Sequence, residues 1–143
     1  MVPFAAAFVC PSMPVLDSAT ATILVVEDEP SVCELAAETL LDAGYRVLTA
    51  ADAWQAEAIL ASQSVDMLFT DIDLARNTNG LALARRARGL CPDLPIVYTS
   101  GGRADVSARD AVSGSVFVPK PYRPSQLVAL TRDVLNAALP HHA

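Results

Sequence analysis

Five short apolar runs, each closing on polar or turn-forming residues, constrain the fold more than any other feature of this chain. They are Thr22–Val26, Tyr45–Ala50, Asp66–Thr70, Leu94–Thr99 and Ser115–Val118. All have strand length, and most are rich in β-branched residues. Between them the spacing turns helical. Val32, Leu35, Ala36, Thr39, Leu40 and Ala43 recur after Pro30, a residue favoured in a first helical turn, and Gly44 is a natural stop. Asp52 is a fitting N-cap for a helix through Ala53, Ala56, Ile59 and Leu60. Leu81 to Leu90 reads as an Ala- and Arg-rich helix ended by Cys91-Pro92. Pro124 and Ser125 start the last helix, with Leu127, Leu130, Val134, Leu135 and Ala138 on its apolar face. Residues 103–112 read as a short helix or an irregular loop.

Strand–helix alternation with short crossovers requires parallel strands and right-handed connections. The expected fold is therefore α/β: a doubly wound five-stranded parallel sheet of flavodoxin-like order 2-1-3-4-5, its fourth helix short or irregular. An apolar share of 52% suits strands covered on both faces. The 143 residues suffice for one domain. Its expected bounds are 21–139, after a disordered extension over 1–20 and before a tail over 140–143. Met1 to Cys10 is apolar without a preceding Lys or Arg, a poor secretion signal, and Met13 is a second candidate start. No apolar run approaches the roughly 18 residues a membrane span needs.

A net charge of −6 argues against a general nucleic-acid surface, and Arg85, Arg86 and Arg88 read as a solvated helix face. Cys10, Cys33 and Cys91 lack metal-ligand spacing and read as buried or idle thiols of a reducing compartment. His141 and His142 read as a chance terminal pair, and Trp54 as a packing residue on its helix.

In the order 2-1-3-4-5, strands one and three are neighbours, so Glu27, Asp28 and Asp71 meet at the switch point. Three carboxylates in one crevice repel each other, by about 4 kcal/mol per pair at about 4 Å and an effective dielectric of about 20. A hard divalent cation would compensate them. Lys120 follows the fifth run and Thr99 ends the fourth, adding an ammonium and a hydroxyl at the same edge. Together these groups suit a phosphoryl group carried on Asp71 as nucleophile. Glu29 reads as an acid favoured by the helix dipole.

The set resembles the receiver domain of bacterial two-component response regulators over about residues 21 to 139. The resemblance is carried by Ile-Leu-Val-Val-Glu-Asp-Glu-Pro (23–30), Leu-Phe-Thr-Asp-Ile-Asp-Leu (68–74), Pro-Ile-Val-Tyr-Thr-Ser-Gly (95–101) and Phe-Val-Pro-Lys-Pro-Tyr (117–122). It implies that Asp71 is the phosphoacceptor. The implied Mg²⁺ ligands are Asp28 directly, Glu27 largely through water, Asp71, and the main-chain carbonyl of Asp73. Thr99 and Lys120 match the family's hydroxyl and lysine, and Thr99 and Phe117 its switch pair. The Lys120-Pro121 bond is expected to be cis. The implied protein is a cytoplasmic phosphoacceptor that assists its own phosphotransfer and autodephosphorylation. Its implied partners are a sensor histidine kinase or histidine phosphotransfer protein and a downstream protein target, with no DNA and no membrane; a homodimer is left open. Ala75 stands where the family usually has proline, and the Asn77–Gly80 loop looks one residue long. Asp73 adds an acid that can tune metal affinity or dephosphorylation.

Two other readings remain. Asp71-Ile-Asp73 resembles the Asp-x-Asp motif of haloacid-dehalogenase-like phosphatases, although that motif normally ends the first strand. A phosphate-independent pseudo-receiver binding module would keep the fold without the chemistry, which the complete acid, hydroxyl and lysine set opposes.

Overall fold

The computed structural model describes residues 21–74, 78–102, 105–107 and 109–138. Its elements run β1 (Thr22–Val26), α1 (Pro30–Asp42), β2 (Arg46–Ala50), α2 (Ala53–Ser62), β3 (Met67–Asp71), α3 (Gly80–Leu90), β4 (Ile96–Ser100), β5 (Val116–Pro119) and α4 (Pro124–Ala138). The sheet order is β2-β1-β3-β4-β5, and every neighbouring pair is parallel. This is the doubly wound topology expected from the alternation of runs.

Side-chain alternation along the strands divides the core in two. Leu24, Val26, Leu68, Ile96 and Tyr98 face α2 and α3, where Ala53, Ala56, Leu60, Leu83, Ala84 and Ala87 meet them. Ile23, Val25, Met67, Phe69, Val97 and Val118 face α1 and α4, against Ala36, Leu40, Leu127 and Leu135. Each fully buried aliphatic side chain contributes about 1.5–3 kcal/mol relative to exposure. The helices begin and end where their residues dictate. Asp52 and Asn79 accept from the backbone N–H groups of Gln55 and Ala82, at 2.9 and 2.8 Å. Gly44 follows α1 with φ of 102°, a conformation that suits glycine.

Three sequence expectations need correction. Trp54 does not pack: it is 66% exposed, because the buried stripe of α2 is Ala53, Ala56 and Leu60 and residue 54 projects away from it. Leu35 and Ala138, read as facing the core, are also exposed, because only part of each helix's apolar arc reaches the sheet. Cys91 is disulfide-bonded rather than an idle thiol. Cys33 is a free, half-buried thiol whose pKa is raised by burial and by the nearby Glu27 and Glu34, which keeps it protonated and unreactive. The expectations for residues 1–20, including Cys10 and Met13, for Ala75 to Asn77, and for His141 and His142 fall outside the described residues.

Between β4 and β5 no helix forms among the described residues. The N–H groups of Asp110 and Ala111 both donate to the Ser107 carbonyl, making a single turn. Val106, Ala111 and Val112 lie against the α2/α3 core, and the Val112 N–H donates to the hydroxyl of the fully buried Tyr98 at 3.0 Å. The arginines of α3 are tied down separately. Arg86 pairs with Glu57 at 2.8 Å, Arg88 donates to the Leu94 carbonyl at 2.7 Å, and Arg85 to that of Asp110 at 3.3 Å. They therefore do not form one basic surface. No helix among the described residues is long and apolar enough to cross a membrane.

Candidate functional site

The carboxyl edge of the sheet gathers the polar residues. Val26 is level with Thr70 across the β1–β3 pair, so Glu27 and Asp71 leave adjacent strands at the same height. Asp71 is level with Thr99 across the next pair. Lys120 follows β5, its N–H donating to the Ser100 carbonyl at 3.0 Å. The strand ends alone thus bring together groups that are remote in sequence.

Lys120 Nζ donates to Glu27 Oε1 at 2.7 Å and to Asp71 Oδ2 at 3.0 Å. The second Asp71 oxygen accepts from the Asp73 N–H at 3.1 Å, and Glu27 Oε2 accepts from the Glu29 N–H at 3.2 Å. Glu27 and Asp71 are buried, whereas Asp28 is exposed at the mouth. Burial, followed by the negative charge of Asp71, pushes the Glu27 carboxyl above its ordinary range against the pull of Lys120. For Lys120, burial works to lower the pKa, but its hydrogen bonds to Glu27 and Asp71 prevail and raise it. Both shifts are upward: the lysine has two acids to itself, which outweigh its burial, whereas for Glu27 burial outweighs its share of the one lysine. Lys120 is therefore a fixed positive charge at neutral pH.

Glu27, Asp28 and Asp71 each bring an oxygen within 4.8 Å of the others. Oxygen ligands of an octahedral Mg²⁺ at about 2.1 Å are separated by about 3 to about 4 Å. The donor set therefore fits a hard divalent cation after small side-chain adjustments, and three acids against one lysine leave the negative surplus that such an ion would neutralise. A cleft of ≈ 370 Å³, lined among others by Glu27, Asp28, Cys33 and Gln55, opens beside these acids between α1 and α2.

Thr99 is 2% exposed, and among the described residues its hydroxyl has no hydrogen-bond partner. Such a group costs about 1–3 kcal/mol when buried. Phe117 is half-buried on β5, level with Tyr98, and packs against the α2/α3 core. The Lys120-Pro121 bond is cis, as expected. Glu29 occupies the N-cap of α1 in extended backbone, with no side-chain cap bond.

Sequence reasoning missed two residues at this edge. Ser100 stands in the sequence analysis only as part of the 95–101 motif, with no role of its own, yet it is fully buried and its hydroxyl donates to Asp73 Oδ2 at 2.9 Å. Gly80 was read only as a loop residue, yet a β-carbon there would overlap the main-chain carbonyl of Asp71. A serine directly after the register partner of Asp71 was the one available signal for the first.

The profile of the family described as response regulator receiver domain matches residues 23–132. The phosphate regulon transcriptional regulatory protein PhoB of Pseudomonas aeruginosa is 35% identical over 123 residues, covering 83% of this chain and 53% of that protein. The nitrogen assimilation regulatory protein NtrX of Azorhizobium caulinodans is 34% identical over 117 residues, covering 80% of this chain but 26% of that protein. The chain thus spans about half or less of these curated relatives. A response regulator receiver protein from Sinorhizobium medicae superposes with a TM-score of 0.78 at 33% identity, covering 83% of this chain and 97% of that one.

Proposed function

The chain belongs to the response regulator receiver domain family of two-component signalling, and from that premise we propose that it accepts a phosphoryl group on Asp71 and reports it through protein contacts. One observation carries the reading: Lys120 bridges Glu27 and Asp71 at the sheet edge where Asp28 and Thr99 also lie. The donor is a phosphohistidine of a sensor kinase or histidine phosphotransfer protein. A carboxylate oxygen of Asp71 attacks phosphorus, the new P–O bond forms as the P–N bond breaks, and the leaving imidazole keeps the electron pair. Lys120 holds one Asp71 oxygen and offers charge to the incoming phosphoryl oxygens. The unpartnered Thr99 hydroxyl gains an acceptor once those oxygens arrive.

Asp28, Asp71, the Asp73 main-chain carbonyl and, largely through water, Glu27 would hold Mg²⁺, which would supply charge neutralisation at the transferring group. The phosphoryl group adds about −1.5 to −2 charge at neutral pH. A surface responds to that charge if its altered form binds a partner better. Thr99 moving toward the phosphoryl group and Phe117 turning inward are the proposed relay. Slow autodephosphorylation resets it, and the protein turns over no external phosphate ester. The relatives are named as regulators of transcription and nitrogen assimilation; those outputs are properties of longer proteins, and here the proposed target is a protein.

Intact mass after incubation with a small phosphodonor and Mg²⁺ tests this. Wild type gains one phosphate, EDTA prevents it, and Asp71→Asn gains none. A gain that survives Asp71→Asn would place the phosphate elsewhere, and no gain in wild type, even with a histidine-phosphorylated donor protein, would leave a pseudo-receiver.

A further inference from the structure

Two acids, Asp71 and Asp73, stand on either side of Ile72 as the chain leaves β3, and they are treated differently. Asp71 faces Lys120, whereas the Asp73 carboxylate is turned to β4, where Ser100 Oγ meets its Oδ2 at 2.9 Å. The direction of this bond is set by a third group. The Gly102 N–H donates to Ser100 Oγ at 3.1 Å, so the serine proton is left to point at Asp73. Ser100 is 0% exposed, and its main-chain carbonyl also receives the Lys120 N–H. This serine is therefore held from both sides, and it holds the acid in turn. Among the described residues the Asp73 carboxylate is not one of the three that cluster within 4.8 Å.

We propose that Ser100 is a positioning residue that latches the Asp73 carboxylate away from Glu27, Asp28 and Asp71, so that the phosphoryl-accepting crevice presents three acids rather than four. The inference rests on the receiver reading of the site and goes beyond it in assigning a role to Ser100. Its physical basis is charge. A fourth carboxylate swung into the crevice would bind a divalent cation more tightly and repel an anionic phosphodonor. A charge-assisted hydrogen bond from a buried hydroxyl is the means of preventing that swing. The latch also ties the residue after the nucleophile's neighbour to the strand end that carries Thr99, because residues 99 and 100 are consecutive in β4.

Two readouts test it, Mg²⁺ affinity by calorimetry on the unphosphorylated protein and the rate of phosphate uptake from a small anionic donor at saturating Mg²⁺. In Ser100→Ala the freed carboxylate tightens Mg²⁺ binding by about threefold or more and slows uptake by about threefold or more. Adding Asp73→Asn to that variant abolishes both changes. Should Ser100→Ala not fold, Ser100→Cys reads the same quantities with a side chain of similar size and a weak donor. Unchanged affinity and rate in the Ser100 variants, or changes that persist in the double variant, would overturn the latch while leaving the receiver reading in place. A wild type that neither binds Mg²⁺ nor takes up phosphate from a small or a histidine-phosphorylated donor would overturn both.

Discussion

Gly80 opens α3 with its Cα against the main-chain carbonyl of Asp71, so close that any β-carbon would collide with that oxygen. The contact is fixed from both directions. The Gly80 N–H donates to the Ile72 carbonyl at 2.8 Å, and the Thr70 hydroxyl donates to the same Asp71 carbonyl at 2.9 Å. The collision is with backbone, which cannot turn aside as a side-chain tip can. Gly80→Ala is therefore expected to destabilise the fold by about 1–3 kcal/mol, typical of overpacking. Denaturant melts measure that loss, and slower phosphate uptake should accompany it because the Asp71 peptide must shift.

Asp28 gives the opposite trade. It sits at the mouth of an acidic trio and has neither Lys120 contact. Asp28→Asn removes one like charge, so the Mg²⁺-free protein should become about 1 kcal/mol more stable. The same change should flatten the rise in melting temperature expected of wild type on adding Mg²⁺. Thermal melts with and without Mg²⁺ report both effects, and a variant that keeps the full Mg²⁺ response would remove Asp28 from the proposed ligand set.

Among the described residues two buried side-chain hydroxyls, those of Thr99 and Thr131, lack partners, and they should separate cleanly. Thr131 lies in the buried stripe of α4 with Leu127 and Leu135, far in sequence from the acids. Thr131→Val should stabilise by about 1 kcal/mol by removing an unsatisfied group, with phosphate uptake unchanged. Thr99→Val should gain a similar amount in the resting protein, yet lose about tenfold or more in uptake rate or in the response of a partner. Equal behaviour of the two variants would strip Thr99 of its proposed part.

Tyr122 sets an alkaline limit. Its ring meets Phe69 edge-on at 5.7 Å, and burial first of all raises its pKa from 10.0 to about 12. A folded pKa above the unfolded one means that the folded state holds the proton longer. The stability tied to that proton is fully present below pH 10.0 and is lost as pH rises through about 12. Tyr122→Phe keeps the ring contact and has no proton to lose. Urea midpoints should therefore fall more steeply for wild type than for the variant over that window, and parallel curves would contradict the assignment.

Much of this architecture was legible because the strands announce themselves. Ile23 to Val26 is apolar throughout, as a strand covered on both faces must be, and Glu27 after it can only sit at an edge. From the order of strands, the meeting of Glu27, Asp28, Asp71 and Lys120 follows as topology. Side-chain direction was less legible. Trp54 looked like core because tryptophan usually is, but a ten-residue helix buries one narrow stripe, and that stripe is alanine and leucine. The hydroxyls of Tyr98 and Ser100 meet Val112 N–H and Asp73 Oδ2 across different elements, and no spacing rule reports such pairs. Residues 103–112 defied assignment for a physical reason. Val112 is tethered by a side chain from β4, so part of this segment is held by a buried phenol rather than by its own helical ladder.

The division of the core has a consequence for how the protein is made. One half is covered by α2 and α3, which lie close together in the chain, and it can close early. The other is covered by α1 and α4, the first and last helices among the described residues. During synthesis, this face of the sheet is therefore covered by α1 alone until Leu127 and Leu135 emerge from the ribosome. The newborn sheet is at its stickiest just before it is finished.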